Sequence, residues 1–369
     1  MSSSADTTSA AALPDASAFY KTYHGHEPEA MRAFAAAMRG GAAGAEGPRP
    51  LVWLAGDSSL DSKFWLDNQQ RAPPCNGVER ALSFGAGAGG GAGAGAVPRD
   101  VAHSVNAALA ARGLRFGCVN AAVEESTLAD RAGGRLLPQD AVLRECLRDG
   151  DVIVVSVGGN DIALKPSAAT AAALALLVGV PGVRALPLLA GLPLLGGGAS
   201  DAAVADGSAW GMAHLVGMFG AQTRAYVNAL LSGPQRARPA LVIVCTIYYP
   251  LERGAVRGSD AEGWADGALG VLGYDENPAR LQSAIRSIYE HATRRVAAED
   301  AAGAPVPVAA CPLFEALDPR DARDYERRVE PSARGGEKMA EAFVQLMAEQ
   351  LARGGGGSGG GAAASGAAP

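Results

Sequence analysis

The run Leu51-Val52-Trp53-Leu54-Ala55-Gly56 is apolar throughout and stops abruptly at Asp57-Ser58. A segment of that length with no polar interruption suits a strand buried on both faces of a parallel sheet, where crossover helices cover both sides. Gly56 permits a sharp exit from such a strand. Ser58 then stands at the strand's carboxyl end, and open α/β sheets bind their ligands in the crevice outside those ends. A serine there is also an ordinary helix N-cap. Gly-Asp-Ser alone separates neither reading.

A second junction repeats the design. Asp151-Val152-Ile153-Val154-Val155-Ser156-Val157 runs into Gly158-Gly159-Asn160-Asp161, with an asparagine at the tip. A side-chain amide held beside a serine can donate to the oxyanion of a tetrahedral intermediate, and losing one such donor typically costs roughly 10²–10³ in rate. A third β-like run, from Arg115 to Asn120, ends in the turn Ala121-Ala122-Val123-Glu124-Glu125-Ser126-Thr127. Residues 240–247 form a fourth run, and residues 304–310 a weaker fifth whose prolines suit an edge strand. Helical stretches lie between them, among them residues 279–298 with Leu281, Ile285, Ile288 and Tyr289 on one face. Strands alternating with helices predict a parallel sheet with helices on both sides.

The three junctions, in this order, resemble the SGNH (GDSL-type) hydrolase family across residues 48–351. The resemblance implies an α/β fold, a flavodoxin-like three-layer α/β/α sandwich around a five-stranded parallel sheet. It implies a serine hydrolase acting on a small-molecule ester or acyl substrate, with no cofactor and no metal. Ser58 matches the family nucleophile and Asn160 the oxyanion-hole amide. The second block of the family carries a glycine whose N–H is a further donor. Glu125 stands in that place, and because the group needed is a main-chain N–H, as for that of Ser58 itself, a side chain does not abolish the role.

The fourth block departs from the family, which has Asp-x-x-His-Pro with the histidine as general base. The matching stretch reads Asp324-Tyr325-Glu326-Arg327-Arg328-Val329-Glu330-Pro331, so Glu330 occupies the histidine slot and Arg327 the aspartate slot. An exposed glutamate titrates at roughly 4.3 against roughly 6.5 for histidine, so it serves as a base only where burial raises it. Two readings stay open. In one, Glu330 accepts the Ser58 proton and Asp324 orients it. In the other, Glu330 binds Arg327 or Arg328 or caps the next helix, and the chain is a silent binding protein. Of the five histidines, His24 and His26 lie in a polar segment, and His103 and His291 fall on outer helices. His214 is the one candidate to replace the missing base.

Composition bounds the rest. A net charge of −6 with 19% charged residues offers no basic face, which argues against nucleic acid as partner. Arg323, Arg327, Arg328 and Arg334 form the only notable cluster, either internal ion pairs or an anion-binding rim beside Ser58. Five cysteines without close pairing fit a reducing compartment, and no basic start followed by an apolar core precedes residue 48, so a cytoplasmic, intracellular location is expected. Residues 1–47 read as an N-terminal arm, partly disordered with a short helix. Residues 48–352 read as the hydrolase-like domain, with insertions at about 85–97 and 168–200, and residues 353–369 as a disordered Gly/Ala tail. The 168–200 insertion holds one charge, Arg184, but its prolines break any long helix. It is expected to be an apolar cover or acyl-chain surface, or an insert packed against its own domain, ahead of interfacial membrane contact.

Overall fold

The computed structural model describes residues 12–40, 48–66, 70–85, 95–178, 200–256 and 264–355. Five strands form the main sheet: β1 (Leu51–Gly56), β2 (Gly117–Asn120), β3 (Val152–Ser156), β4 (Leu241–Thr246) and β5 (Val308–Pro312). They lie in the order β2-β1-β3-β4-β5, and every neighbouring pair is parallel. This is the flavodoxin-like order, whose switch point falls between β1 and the strand that follows the crossover. Ser58 and Asn160 therefore leave adjacent strands at the place where such sheets open a crevice.

The helices that matter for the core and the site are α1 (Pro28–Gly40), α2 (Val101–Ala111), α3 (Pro138–Cys146), α4 (Gly159–Ala163), α5 (Ala168–Val178), α6 (Thr223–Leu231), α7 (Trp264–Val271), α8 (Pro278–His291) and α9 (Ala333–Gly355). Successive side chains of a strand point to opposite faces. Val52 and Leu54 of β1 accordingly join Val105 of α2 and Phe343 of α9 on one side. Leu51, Trp53 and Ala55 join α1, α3, α6 and α8 on the other. The continuous apolar runs are thus explained by two covered faces, and the expected three-layer sandwich is observed.

Two boundaries differ from the sequence reading. Residues 12–40 are not an arm: Met31, Phe34, Ala35 and Met38 of α1 are buried in the core. Arg39 donates to both carboxylate oxygens of Asp151, at 2.8 and 2.5 Å, and the same carboxylate accepts from Leu51 N and Trp53 Nε1. The fifth strand of the sheet begins at Val308; Pro305–Val306 instead pairs antiparallel with Ala298–Glu299. Prolines at 305 and 307 lack the N–H that a ladder needs, which displaces the start.

Of the two insertions, residues 86–94 and 179–199 lie outside the described residues. Val97–Pro98 pairs with Arg71–Ala72, and residues 168–178 form α5, with Ala173, Leu174 and Leu177 packed inward. Among the described residues no helix is long and apolar enough to cross a membrane. The C-terminal tail from 356 lies outside the described residues.

Candidate active site

The end of β1 is built by close approach. At Gly56 φ is +151°, and a Cβ there would stand 1.8 Å from the Ser156 carbonyl oxygen, so only glycine fits between β1 and β3. Asp57 N donates to that same carbonyl at 3.1 Å. Asp57 Oδ1 accepts from the Ser59 N–H at 3.1 Å and from the Ser59 hydroxyl at 2.7 Å. Asp57 thus shapes the turn as an Asx motif. Ser58 is buried within the turn and heads no helix.

The other two junctions converge on it. Gly158 has φ +100° and abuts the Phe219 ring, which a Cβ would meet at 2.7 Å. Asn160 follows in the first turn of α4, and its Nδ2 donates one hydrogen to the Ser126 carbonyl at 3.0 Å. The amide keeps a second donor. Asp161 fixes the third junction by accepting from Leu128 N at 2.8 Å and Ala129 N at 3.2 Å. Glu125 takes φ +59°, the left-handed conformation that favours glycine, so a non-glycine residue holds the backbone shape expected at that place. Lys165 donates to the Glu125 carbonyl oxygen at 3.1 Å, and Tyr23 to its side chain at 3.1 Å. The main-chain N–H groups of Ser58 and Glu125 donate to no group among the described residues.

Glu330 sits on a two-residue antiparallel ribbon, Tyr325–Glu326 against Glu330–Pro331. Between these strands Arg327 and Arg328 both have left-handed backbones, with φ of 44° and 71°. Arg328 is buried and donates to Asp266 at 2.5 Å, to Asp275 at 2.6 Å and to the Leu251 carbonyl at 3.1 Å. Arg327 lies over the Trp65 ring at 5.5 Å. The following helix is capped by Ser332, whose hydroxyl accepts from Gly335 N at 3.1 Å. Each of the partners that sequence offered as a structural explanation for Glu330 is therefore engaged elsewhere.

Glu330 itself is 1% exposed, lines a cavity together with Ser58, and leaves Oε2 without a partner among the described residues. Burial pushes its carboxyl up to about 8, reinforced by the Asp57 and Asp61 charges and opposed by the Ser58 hydroxyl. A second buried carboxyl, Glu124, is pushed to about 9 by burial and by the Glu330 charge. Asp57 is raised to about 6 by burial, against the hydrogen bonds from Ser59. A nearby cation, Lys63, is committed to Asp61 at 2.5 Å. Asp61 Oδ2 also accepts from Gly25 N and Glu124 N, at 2.9 and 3.0 Å, so it ties the N-terminal segment to the turn that carries Glu125.

Asp324 does not join this group as expected. Its carboxylate is held by Lys338, by Arg334 at 3.3 Å and by the Asp318 N–H at 3.1 Å, and it makes no hydrogen bond to Glu330 among the described residues. Its position N-terminal to α9 places it beside that helix's own basic side chains. His214 bonds Thr170 Oγ1 at 3.0 Å and does not replace the missing base. His24 reaches the Glu124 carbonyl at 3.1 Å, and His26 is buried against Phe19. Three of the four clustered arginines are in internal pairs, Arg323 and Arg334 on Asp321 and Arg328 on Asp266 and Asp275, while Arg327 lies over Trp65.

Ser58, Asn160 and Glu330 share one cavity of about 90 Å³, together with Asp57, Tyr248 and a wall of aliphatic side chains. Sequence reasoning missed Glu124, Asp61, Lys63 and Arg131. Arg131 is buried on Asp140 at 2.8 Å and donates to the Gly56 carbonyl at 3.1 Å, bracing the end of β1. Glu124 offered a faint signal, since it precedes the residue aligned with the family glycine.

No protein-family model matches the chain, and no curated protein does. Among solved structures the chain is similar to a protein from Parabacteroides merdae described as a GDSL-like lipase, at 14% identity over 81% of this chain and 96% of that one, with a TM-score of 0.36. It is similar to the extracellular lipase of Streptomyces rimosus, at 14% identity over 81% and 99%, with a TM-score of 0.35. It is also similar to phospholipase A1 of Streptomyces albidoflavus, at 11% identity over 82% and 99%, with a TM-score of 0.33.

Proposed function

We propose that the chain is a serine hydrolase that cleaves an ester or related acyl compound by passing the acyl group through Ser58, with Glu330 as base. One observation carries this: a buried carboxyl that takes part in no ion pair among the described residues shares a cavity with the serine at the end of β1. Leaving such a group unpaired is costly, and a purely structural residue here has no reason to carry it.

Ser58 Oγ bonds to the substrate carbonyl carbon while its proton passes to Glu330, and the carbonyl π electrons move onto oxygen. The N–H groups of Ser58 and Glu125 and the second N–H of the Asn160 amide meet that oxyanion. Collapse breaks the bond to the leaving group, which takes the proton from Glu330. Water then attacks the acyl-serine and gives its proton to Glu330, and Ser58 departs with that proton. A carboxylate titrating at about 8 is a far better base than an exposed one at roughly 4.3, although only about a tenth of it is ionised at pH 7.

A second reading, a binding protein without turnover, draws on the same raised carboxyl, since Glu330 is mostly protonated at neutral pH. Covalent labelling by a fluorophosphonate probe at pH 7 and pH 9 separates them. Labelling at pH 9 that is lost in both Ser58→Ala and Glu330→Gln establishes the serine and its base. A folded wild-type chain that stays unlabelled at both pH values supports the binding protein.

A further inference from the structure

We infer that the site accepts short acyl groups, of about four carbons or fewer, because Ile162, Leu281 and Ile285 wall its cavity off from a second apolar space. This rests on the reading above only in that the acyl carbonyl is placed at Ser58.

The cavity beside Ser58 is polar at one end, where Asp57, Ser58, Asn160 and Glu330 lie. Its apolar lining comes from Leu269 of α7, Leu272 just after that helix, and Leu281 and Ile285 of α8. An apolar recess next to a nucleophile fits the acyl part of a substrate, since no charged or hydrogen-bonding group has to be desolvated there. Its volume of about 90 Å³ sets the length. A cavity of roughly 150 Å³ holds a six-carbon ring, so this one holds about four carbons.

A second apolar cavity of about 20 Å³ lies beyond, between Leu174 and Leu177 of α5 and Leu281, Ala284 and Ile288 of α8. It is too small for a chain. Ile162, Leu281 and Ile285 touch both cavities, so these three side chains are the partition. Ile285 is 1% exposed and Ile162 8%, which leaves little freedom to swing aside. Truncating the wall joins the spaces and lengthens the acyl group that fits.

The test uses the full chain and p-nitrophenyl acetate, butyrate, hexanoate and decanoate. The wild type is expected to give its highest kcat/KM with acetate or butyrate and at least about tenfold less with decanoate, since each methylene that does not fit costs on the order of tenfold. Leu281→Ala moves the optimum to hexanoate or longer. Ala163→Val, which fills the same cavity from α4, moves it to acetate and stands in if Leu281→Ala fails to fold. Equilibrium dialysis of the same esters against Ser58→Ala reads chain-length preference without turnover. A wild type inert to every ester whose Ser58→Ala form still binds in this order sinks the hydrolase reading and keeps the inference. Wild-type rates within about threefold from butyrate to decanoate, length-blind binding, or unchanged preference in both cavity variants overturn it.

Discussion

A glutamate in the place of an imidazole changes the pH at which the same geometry works. The base must be a carboxylate to accept the Ser58 proton, so acylation is expected to rise about tenfold per pH unit and to level only near 8, where Glu330 titrates. A histidine base levels near roughly 6.5. Initial rates of fluorophosphonate labelling from pH 6 to 9 distinguish the two, and a plateau already reached at pH 7 rules out Glu330. Stability runs the other way. The folded-state value of Glu330 lies above its unfolded value of roughly 4.3, so the folded chain binds this proton more tightly. The resulting stability is full below roughly pH 4.3 and is lost as pH rises through about 8. Glu330→Gln is therefore expected to be more stable than wild type at pH 8, by on the order of 1 kcal/mol or more, and equal to it at pH 4. Urea unfolding at the two pH values checks this. Ser58 and Asn160 were legible in the sequence because an apolar run followed by a polar turn fixes where a side chain emerges. Glu124 was not, because its importance comes from a carboxyl more than two hundred positions away in the chain, with which it shares one buried field.

At the scale of elements, the long apolar strands were readable and the ribbon that carries Glu330 was not. β1, β3 and β4 are covered on both faces and cannot tolerate polar residues, which leaves a trace in the sequence. A ribbon of two residues against two leaves no periodicity to detect. What holds it is a single side chain. Arg328 accepts a left-handed backbone, which costs about 1–3 kcal/mol, and its guanidinium fork offsets that by spanning Asp266, Asp275 and the Leu251 carbonyl. Leu251 N returns a bond to the Arg328 carbonyl at 2.9 Å. Lysine cannot span three acceptors in this way. Arg328→Lys is expected to cost about 3 kcal/mol in urea unfolding and to slow labelling of Ser58 at least tenfold at pH 9. A structural loss alone leaves the pH profile of the folded fraction unchanged. A displaced Glu330 shifts the profile, so its midpoint is the readout that assigns Arg328 a positioning role.

For the whole molecule, the N-terminal segment belongs to the domain and reaches its working end. The spacing of Met31, Phe34, Ala35 and Met38 is that of one helical face, a signal overshadowed by the low-complexity tracts on either side. Gly25 bonds Asp61, Tyr23 bonds the Glu125 side chain and His24 bonds the Glu124 carbonyl, so this segment braces the turn between β2 and the helices that follow. Its other end is locked by the buried Arg39–Asp151 pair, whose carboxylate also anchors the first residues of β1. Removing one partner of a buried pair leaves an uncompensated charge and typically costs about 3–5 kcal/mol. Arg39→Met is expected to lose that much stability at pH 7. Because the orphaned Asp151 precedes β3 and holds the first residues of β1, the loss is expected to appear as one cooperative transition, with tryptophan fluorescence and far-ultraviolet circular dichroism moving together. Two separated transitions, with the sheet melting at its wild-type midpoint, would show instead that residues 12–40 fold as an appendage and that the bracing of Glu124 and Glu125 is dispensable.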